Sequence, residues 1–366
     1  MPRSWLSLLL LILAPALGQA AGARITVEQS AERVGEAFTV RVEDSWPNAC
    51  VPELEAVEVD GPQIWVIARD TSEARFCGNA VSDYSLDTGQ LGAARLGAAG
   101  VQQIHYVVRS SAGVRLRGFE LAAMAGTNDP APALESGYWW ADPGLANAFA
   151  GRGIGINIER QGGILSAVLY GYDEAGDPDW SLGSGSVGAQ FSRLGLSRLS
   201  SGAGPHARYR EPRELQSLGA MLIQPLSPSR ARLWLAYLES TTGDLSLREI
   251  EIVRFGFASS PASAWAGEWL LAPAANAGGE VEARQFAFVA LQGGRGEFTL
   301  LDASGEITLT CAMGGARSDR IPELCSLRLL QGEDLREYSF DRIGLRRMEG
   351  VDAEGRPVRM LLLGAD

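Results

Sequence analysis

The sequence contains no lysine, so all 32 basic residues are arginines, and chemistry that needs a lysine amine, such as Schiff-base formation, is excluded. Histidine is nearly as scarce, because only His105 and His206 are present. A Ser-His-Asp site would have to use one of these two residues. The first lies in the middle of a predicted strand and the second in a Gly-rich loop. The sequence therefore favours a structural or solvated role for both.

Long apolar runs are also missing beyond the N-terminal segment. None approaches the roughly 18 residues of a membrane-spanning helix, so the sequence predicts no membrane span. The N-terminal segment itself combines Arg3, an apolar run over residues 6–13 and small residues up to Ala23. This is the pattern of a secretory signal peptide, so residues 1–23 are predicted to be removed on export. We expect the mature chain to start near Arg24, in the periplasm or outside the cell.

Positive charge is in short supply. The 44 acidic residues outnumber the 32 arginines and give a formal net charge of −12 at pH 7. Such a charge opposes binding to nucleic acid, whose phosphates need basic contacts. Nucleic acid is therefore excluded as a predicted partner, and no cofactor is predicted. The expected partner is an unidentified ligand or an envelope protein.

Four cysteines are present, an even number that is typical of disulfides in exported proteins. Their positions predict two local bridges, one joining Cys50 to Cys77 and the other joining Cys311 to Cys325. The second pair has further support, because each of its cysteines lies on the apolar face of a predicted strand. A zinc site would need C-x-x-C spacing or histidine neighbours, and neither occurs, so no metal is predicted there.

Short strands with period-two alternation dominate the chain from residue 24 onward. Over residues 24–124 they follow one another at turn spacings of about ten residues, which is typical of an all-β sandwich, and we interpret this region as immunoglobulin-like. Residues 125–136 are rich in Pro and Ala and are predicted to form a linker. An aromatic-rich antiparallel β-domain is expected over residues 137–257 and a second antiparallel β-unit over residues 265–366.

The two later regions are predicted to form an antiparallel meander, either as two small β-units or as one β-barrel to which both contribute. A short oxygen side chain followed three residues later by glycine predicts a hairpin tip. This pattern recurs at residues 173–176, 240–243, 302–305 and 352–355. The order Gly267-Glu268-Trp269 also echoes Gly137-Tyr138-Trp139, so a second related half is predicted to begin near residue 265.

Aromatic residues and glycines are densest between residues 137 and 180. Rings on a β-surface can form a platform for sugar rings, a peptide or a lipid-like ligand, and the opposite interpretation is that they fill the core. Neighbouring Trp139 and Trp140 must face opposite sides of a strand, so at least one of them is expected to be buried. The predicted ligand-binding residues are Tyr138, Trp139, Trp140, Arg152, Tyr172 and Trp180.

Glycines alternate with isoleucines just after Arg152. Because Gly153 and Gly155 lack side chains, they are expected to leave a shallow trough on one face of a strand, and an internal aromatic ring such as Tyr172 is predicted to fill it in preference to a ligand. The acidic cluster over residues 173–179 permits two further hypotheses, a Ca²⁺ site or the carboxylate pair of a glycosidase. Its spacing matches no EF-hand loop, and a hairpin turn already explains Asp173.

The same stretch resembles a pattern found in exported bacterial proteins of uncharacterised function, G-W-W-N-P, then G-R-G, then Y-D-x-x-G-x-P-x-W. It is matched here by residues 137–143, 151–153 and 172–180, with an insertion over residues 145–150. The setting of Cys50 is similar to the β-sandwich that can precede this pattern. The resemblance implies export and a two-part architecture, and it supplies no activity.

The sequence therefore predicts an exported, soluble β-protein that acts as a non-enzymatic binding or interaction module through an aromatic surface. The alternative hypothesis is a carboxylate-dependent hydrolase that acts on cell-envelope polysaccharide and uses the cluster at residues 173–179. An architectural role in the envelope is a third hypothesis.

Overall fold

Strands dominate the computed structural model, so the predicted all-β fold is confirmed. Within the described residues the only helix is the single turn α1 (Pro261–Ala264), and no helix there is long and apolar enough to cross a membrane. The predicted signal peptide lies outside these residues except for Ala23. The structure describes residues 23–29, 36–73, 75–92, 100–125, 131–141, 155–173, 175–204, 206–211, 213–238, 245–256, 261–273, 283–293, 296–312 and 321–365.

The N-terminal region forms two small sheets, ordered β1-β2-β5 and β3-β4-β6-β7. Its strands are β1 (Arg24–Gln29), β2 (Phe38–Trp46), β3 (Glu53–Asp60), β4 (Gln63–Arg69), β5 (Ser82–Leu91), β6 (Gly100–Ser110) and β7 (Gly113–Met124). Buried side chains from both sheets, such as Val40 and Ile104, form one apolar core between them. The pairing of β4 with β6 is parallel, since the intervening β5 crosses to the other sheet. We call this two-sheet unit the N-terminal domain.

Both predicted disulfides are confirmed. Cys50 and Cys77 join loops of the N-terminal domain, with Cα atoms 5.5 Å apart. Cys311 and Cys325 face each other on neighbouring strands, with Cα atoms 4.1 Å apart, and both are fully buried. Disulfides persist in oxidising compartments, so the two bridges indicate an extracytoplasmic environment.

The next eight strands close into a barrel, because the last of them pairs with the first. They are β8 (Gly137–Ala141), β9 (Gly155–Gln161), β10 (Ile164–Tyr172), β11 (Pro178–Ser186), β12 (Ser192–Ser200), β13 (Arg213–Ser227), β14 (Arg230–Leu238) and β15 (Leu245–Arg254). Alternate residues point inward and fill the interior with apolar side chains such as Trp139, Ile156 and Leu233. This unit is the first barrel.

The remaining nine strands form a separate sheet that is nearly a closed barrel. They are β16 (Gly267–Pro273), β17 (Arg284–Phe288), β18 (Ala290–Gly293), β19 (Glu297–Leu301), β20 (Ile307–Ala312), β21 (Leu324–Gln331), β22 (Asp334–Ile343), β23 (Arg347–Asp352) and β24 (Pro357–Ala365). Strands β17 and β18 stand at opposite ends of the sheet order, yet only Val289 separates them in the chain. They are thus two halves of one bent strand, and we call this unit the second barrel.

The two barrels repeat the same strand order. In both, the first strand pairs with the second and the last, and every other pairing joins neighbours along the chain once β17 and β18 are taken together. Each first strand opens on a glycine of like conformation, Gly137 at φ 130° and Gly267 at φ 129°. Trp139 and Trp269 follow two residues later, and both are fully buried. Each indole Nε1 donates to the backbone oxygen four residues earlier, at 3.2 and 2.8 Å.

Three of the four predicted hairpin turns are present in the described chain, and residues 240–243 lie outside it. Gly176, Gly305 and Gly355 have φ angles of 85°, 75° and 77°, which fit the left-handed region that glycine adopts at no steric cost. The amide of each donates to the backbone oxygen of the aspartate three residues earlier, at 3.0, 3.3 and 3.0 Å. The aspartate and glycine of each turn, which are recognisable in the sequence, therefore fix the positions of these three hairpins.

The N-terminal domain packs against the outer surface of the first barrel. Leu121 and Ala123 of β7 form a buried cluster with Leu222 of β13 and Ala236 of β14. An ion pair between Glu120 of β7 and Arg193 of β12 lies beside this cluster, and the Glu120 side chain is 8% exposed. The contact covers one side of the barrel, over β13 and β14.

Glu135 joins the two barrels. Glu135 lies in the second half of the predicted linker, within residues 131–136. Its amide donates to the backbone oxygen of Pro228 at 2.9 Å. Its carboxylate accepts the amides of Leu345 at 2.9 Å and Arg346 at 2.7 Å, in the β22–β23 turn of the second barrel. Burial raises the pKa of the Glu135 carboxyl, and these amides act in the opposite direction.

Gly344 makes room for this contact, and its replacement by alanine tests the contact. A Cβ at residue 344 would overlap a carboxylate oxygen of Glu135 and lie 2.8 Å from Cβ of Pro228. We expect Gly344→Ala to lower the free energy of unfolding by about 1 to 3 kcal/mol, the usual cost of overpacking, measured by urea denaturation. Gly256→Ala is the matched control, because its Cβ would meet Leu345 at 3.7 Å, an ordinary contact. Equal stability of the two variants would contradict this account.

Candidate functional site

Trp139 is the first predicted binding residue that the structure places, and it lies inside the first barrel. Its side chain is fully buried among Ile156, Ile252 and other core residues. Because the corresponding Trp269 fills the second barrel in the same way, the role of this ring is to pack the core. We do not include it in a ligand-binding surface.

Gly137 also has a structural explanation. A Cβ at this position would overlap the guanidinium of Arg254. That guanidinium donates to the backbone oxygens of Ser136 and Tyr138, each at 3.0 Å. Burial lowers the pKa of Arg254, and the nearby Glu135 acts to raise it. The glycine therefore lets an arginine from the last strand bind the backbone at the start of the first strand.

The predicted trough over Gly155 exists, but Tyr138 occupies it. A Cβ on Gly155 would overlap the phenol ring of Tyr138. That ring lies 6.4 Å from the ring of Tyr170 and 6.0 Å from the ring of Phe255. The expected internal aromatic partner is thus present, but it is Tyr138 and not Tyr172, because the pairing of β8 with β9 brings Tyr138 opposite Asn157, beside the glycine. Gly153 lies outside the described residues.

Exposed rings continue along the outer surface from this point. Tyr170 and Trp180 are direct partners across β10 and β11 and are 40% and 44% exposed, and Tyr172 on the same face of β10 is 51% exposed. Trp140 stands beside Phe255, with ring centroids 4.7 Å apart. We call this set the aromatic face. It comprises Tyr138, Trp140, Tyr170, Tyr172, Trp180 and Phe255.

Two members of the aromatic face were missed from the sequence. Tyr170 could have been found, because it lies two residues before Tyr172 and therefore shares its face of the predicted strand. Phe255 reaches Trp140 only because β15 closes the barrel against β8, which no local pattern reveals. Arg152, the polar group predicted beside the rings, lies outside the described residues.

Neutral polar side chains border the rings. Asn157, Ser166 and Ser184 alternate with inward-facing core residues and therefore point outward on β9, β10 and β11. The register places Asn157 opposite Val168, two residues before Tyr170 on β10. The aromatic face is thus a surface of rings with an amide and hydroxyl groups at its margin.

Two carboxylates of the acidic cluster have structural partners, and Glu174 lies outside the described residues. One oxygen of Asp173 accepts the amides of Ala175 and Asp177, both at 2.9 Å, and so holds the hairpin turn. Asp179 forms an ion pair with Arg198 of β12. Among the described residues, no group of three or more His, Cys, Asp or Glu side chains could hold a metal ion. The turn therefore accounts for Asp173 without calcium.

The second barrel shows what the repeated fold requires at these positions. Thr299 precedes the Asp302 turn by three residues, as Tyr170 precedes the Asp173 turn, and its partner across the strands is Thr310. The two threonine hydroxyls lie 3.0 Å apart. In the same way, Glu268 is the second residue of β16, where the first strand of the first barrel has Tyr138. The outer rings of the first barrel are therefore not required for its strand order.

No family model matches the chain, and no curated protein matches it.

His105 has the structural environment expected from the sequence. Its ring stacks on Trp65 at 4.2 Å and meets the edge of Phe119 at 5.1 Å, and the residue is 8% exposed. Its Nε2 has no hydrogen-bond partner within the described chain. Burial lowers the pKa of His105. His206 is exposed.

The lowered pKa of His105 gives a pH-dependent stability. In the unfolded chain the pKa of this histidine is about 6.5. Below that pH the unfolded chain therefore binds more protons than the folded chain. Its contribution to stability is therefore complete above the unfolded pKa and is lost as the pH falls through the folded pKa. We expect the melting temperature to drop more between pH 7 and pH 5 for the wild type than for His105→Phe. The exposed His206→Gln should follow the wild type, and parallel curves for all three proteins would contradict the assignment.

A second prediction concerns the trough. We expect Gly155→Ala to displace the Tyr138 ring and to lower the free energy of unfolding by about 1 to 3 kcal/mol, as overpacking does. Gly171→Ala on the neighbouring strand is the control, since its Cβ would meet nothing within 4 Å. Chemical denaturation measures both variants, and near-ultraviolet circular dichroism should change for Gly155→Ala alone. Unchanged aromatic signals in that variant would contradict the ring position.

Proposed function

We propose that the protein is an exported, non-enzymatic binding protein that holds a neutral glycan on the aromatic face of its first barrel. The observation that carries the proposal is the difference between the barrels: Tyr170 and Trp180 stand where the second barrel has Thr299 and Thr310. Exposed rings of this size leave apolar surface in contact with water, which is unfavourable. The second barrel has no rings at these two positions, so the fold does not explain them.

The chemistry of the face favours sugar rings over other ligands. The C–H faces of a pyranose ring pack well against the negative face of an aromatic ring, and its hydroxyls need neutral hydrogen-bonding groups. Asn157, Ser166 and Ser184 supply amide and hydroxyl groups beside the rings. The net charge of −12 disfavours an anionic ligand.

The alternative of a carboxylate-dependent hydrolase receives no support from the acidic cluster. A glycosidase needs two carboxyl groups facing one bond across a cleft. Here Asp173 binds the amides of its own turn and Asp179 pairs with Arg198. Both groups are thus committed to holding the hairpin and the neighbouring strands.

The cellular setting belongs to the same proposal. The two disulfides support export, and we propose that the protein acts in the periplasm or outside the cell after residues 1–23 are removed. The immunoglobulin-like character of the N-terminal domain and the resemblance to exported bacterial proteins stay predictions from the sequence.

Substitution of the exposed rings tests the proposal. The probes are two hexasaccharides, β-1,4-linked glucose and β-1,4-linked N-acetylglucosamine, titrated by isothermal calorimetry. We expect at least one to bind, and we expect Tyr170→Ala and Trp180→Ala each to weaken its binding by about tenfold, equal to about 1.4 kcal/mol. Their melting temperatures should stay near that of the wild type, because both residues are exposed surface positions.

Tyr209→Ala is the matched control, because Tyr209 belongs to the same barrel and is 81% exposed, outside the aromatic face. It should bind as the wild type does. Failure of both hexasaccharides to bind, or equal binding by all variants, would contradict a glycan ligand. Loss of a protein partner from Trp180→Ala in place of glycan binding would point to a protein-binding face.

A further inference from the structure

A cleft of about 660 Å³ opens at one end of the N-terminal domain. It lies between the end of β2 and the β6–β7 hairpin, and its lining includes Trp46, Asp70, Val81, Val114 and Arg115. Small-molecule sites have volumes of roughly 300 to 1,000 Å³, so the cleft is large enough for a ligand of a few residues. It belongs to a different unit from the aromatic face.

Arg117 lines the cleft and is held from behind by a buried polar network, which we call the floor. Arg117 donates from Nε at 2.9 Å and from Nη2 at 2.7 Å to Asp44, whose side chain is 1% exposed. Tyr84 donates to the same carboxylate at 3.2 Å and lies 2.6 Å from the hydroxyl of Tyr106. Desolvation raises the pKa of Tyr106 to about 12. The network balances the charge of Arg117 and fixes the base of the cleft.

The walls are apolar and partly aromatic. The guanidinium carbon of Arg117 lies 5.6 Å from the centre of the Trp46 ring and holds the indole against the floor. Val81 and Val114 are 72% and 62% exposed at the mouth. The indole Nε1 of Trp46 is buried with no acceptor in the described part of the chain. Because this nitrogen has no accessible surface, what the cleft itself offers to a ligand is its apolar walls.

Both signs of charge stand at the mouth without an ionic partner. Arg115 is exposed and forms no ion pair with any described residue. The Asp70 carboxylate accepts the amide and hydroxyl of Ser72, at 2.8 and 2.6 Å, through one oxygen only. A fatty acid would satisfy Arg115 and leave Asp70 without an ionic partner. A ligand that carries both charges satisfies both groups.

We propose that this cleft is a second binding site, which takes a short apolar peptide with free termini. Its carboxylate pairs with Arg115, its ammonium group pairs with Asp70, and its apolar side chains pack on Trp46 and the two valines. The site is independent of the aromatic face, so either proposal can fail alone.

Four forms of one tripeptide test the site on the whole protein. Trileucine is titrated by isothermal calorimetry with both termini free, with the N-terminus acetylated, with the C-terminus amidated, and with both ends blocked. We expect saturable binding of the free peptide, and we expect each block to weaken it about fivefold or more, as loss of a paired charge does.

The variants identify which residue reads which end. Arg115→Gln should weaken binding of the free peptide about fivefold, and amidation should then have no further effect. Asp70→Asn should in the same way abolish the effect of acetylation, and its melting curve reports whether the Ser72 turn is intact. Arg248→Gln, which changes an exposed arginine of the first barrel, is the control and should bind as the wild type does. Equal binding of all four peptides, undiminished binding by Arg115→Gln, or no binding of the free peptide would each overturn the proposal.

Discussion

The hydrogen bonds of Glu135 constrain both barrels at once. Its backbone oxygen accepts the indole N–H of Trp139, which fills the first barrel, and its amide donates to Pro228 at the β13–β14 turn. Its carboxylate accepts two amides of the β22–β23 turn. Charge-assisted bonds of this kind contribute about 1.5 to 3 kcal/mol each, so one residue couples a core, a turn and a second barrel.

The two turns that meet at Glu135 are equivalent positions of the repeat. The β13–β14 turn carries Ser229, whose backbone oxygen accepts the amide of Arg254, and the β22–β23 turn carries Arg346, whose backbone oxygen accepts the amide of Leu362. Ser229 also donates its hydroxyl to the backbone oxygen of Ile343. The barrels therefore contact each other through corresponding turns.

Much of the fold follows from local signals. The alternation of residues 307–311 and 325–329 predicts the register that joins Cys311 to Cys325, because a strand repeats every two residues and a shift by one would turn the thiols outward. The Asp and Gly spacing of three turns predicts hairpins for the same local reason. The repeat is visible in the sequence only as Gly-x-Trp. In each barrel the tryptophan fills the core and its indole donates to a backbone oxygen, so both barrels need it.

What the sequence could not supply is non-local. The ring of Tyr138 lies on Gly155 because β8 and β9 pair across residues 142–154, and Phe255 joins it because β15 returns to β8. The cleft beside Trp46 forms between strands that are far apart in the chain, and no motif marks Asp44 or Arg117 as its floor. Selecting candidate residues by the local density of aromatic residues therefore grouped a core ring, Trp139, with surface rings.

The outer surface of the first barrel carries apolar residues of two kinds, and the difference between them bears on function. Leu222 and Ala236 on β13 and β14 are buried, because the N-terminal domain packs over them. Tyr170 and Trp180 on β10 and β11 remain exposed. Apolar groups on the outside of a closed barrel gain nothing from its core, so in both cases their stabilising contact must come from elsewhere. For the first kind that contact is within the chain, and for the second kind the proposed function assigns it to a ligand.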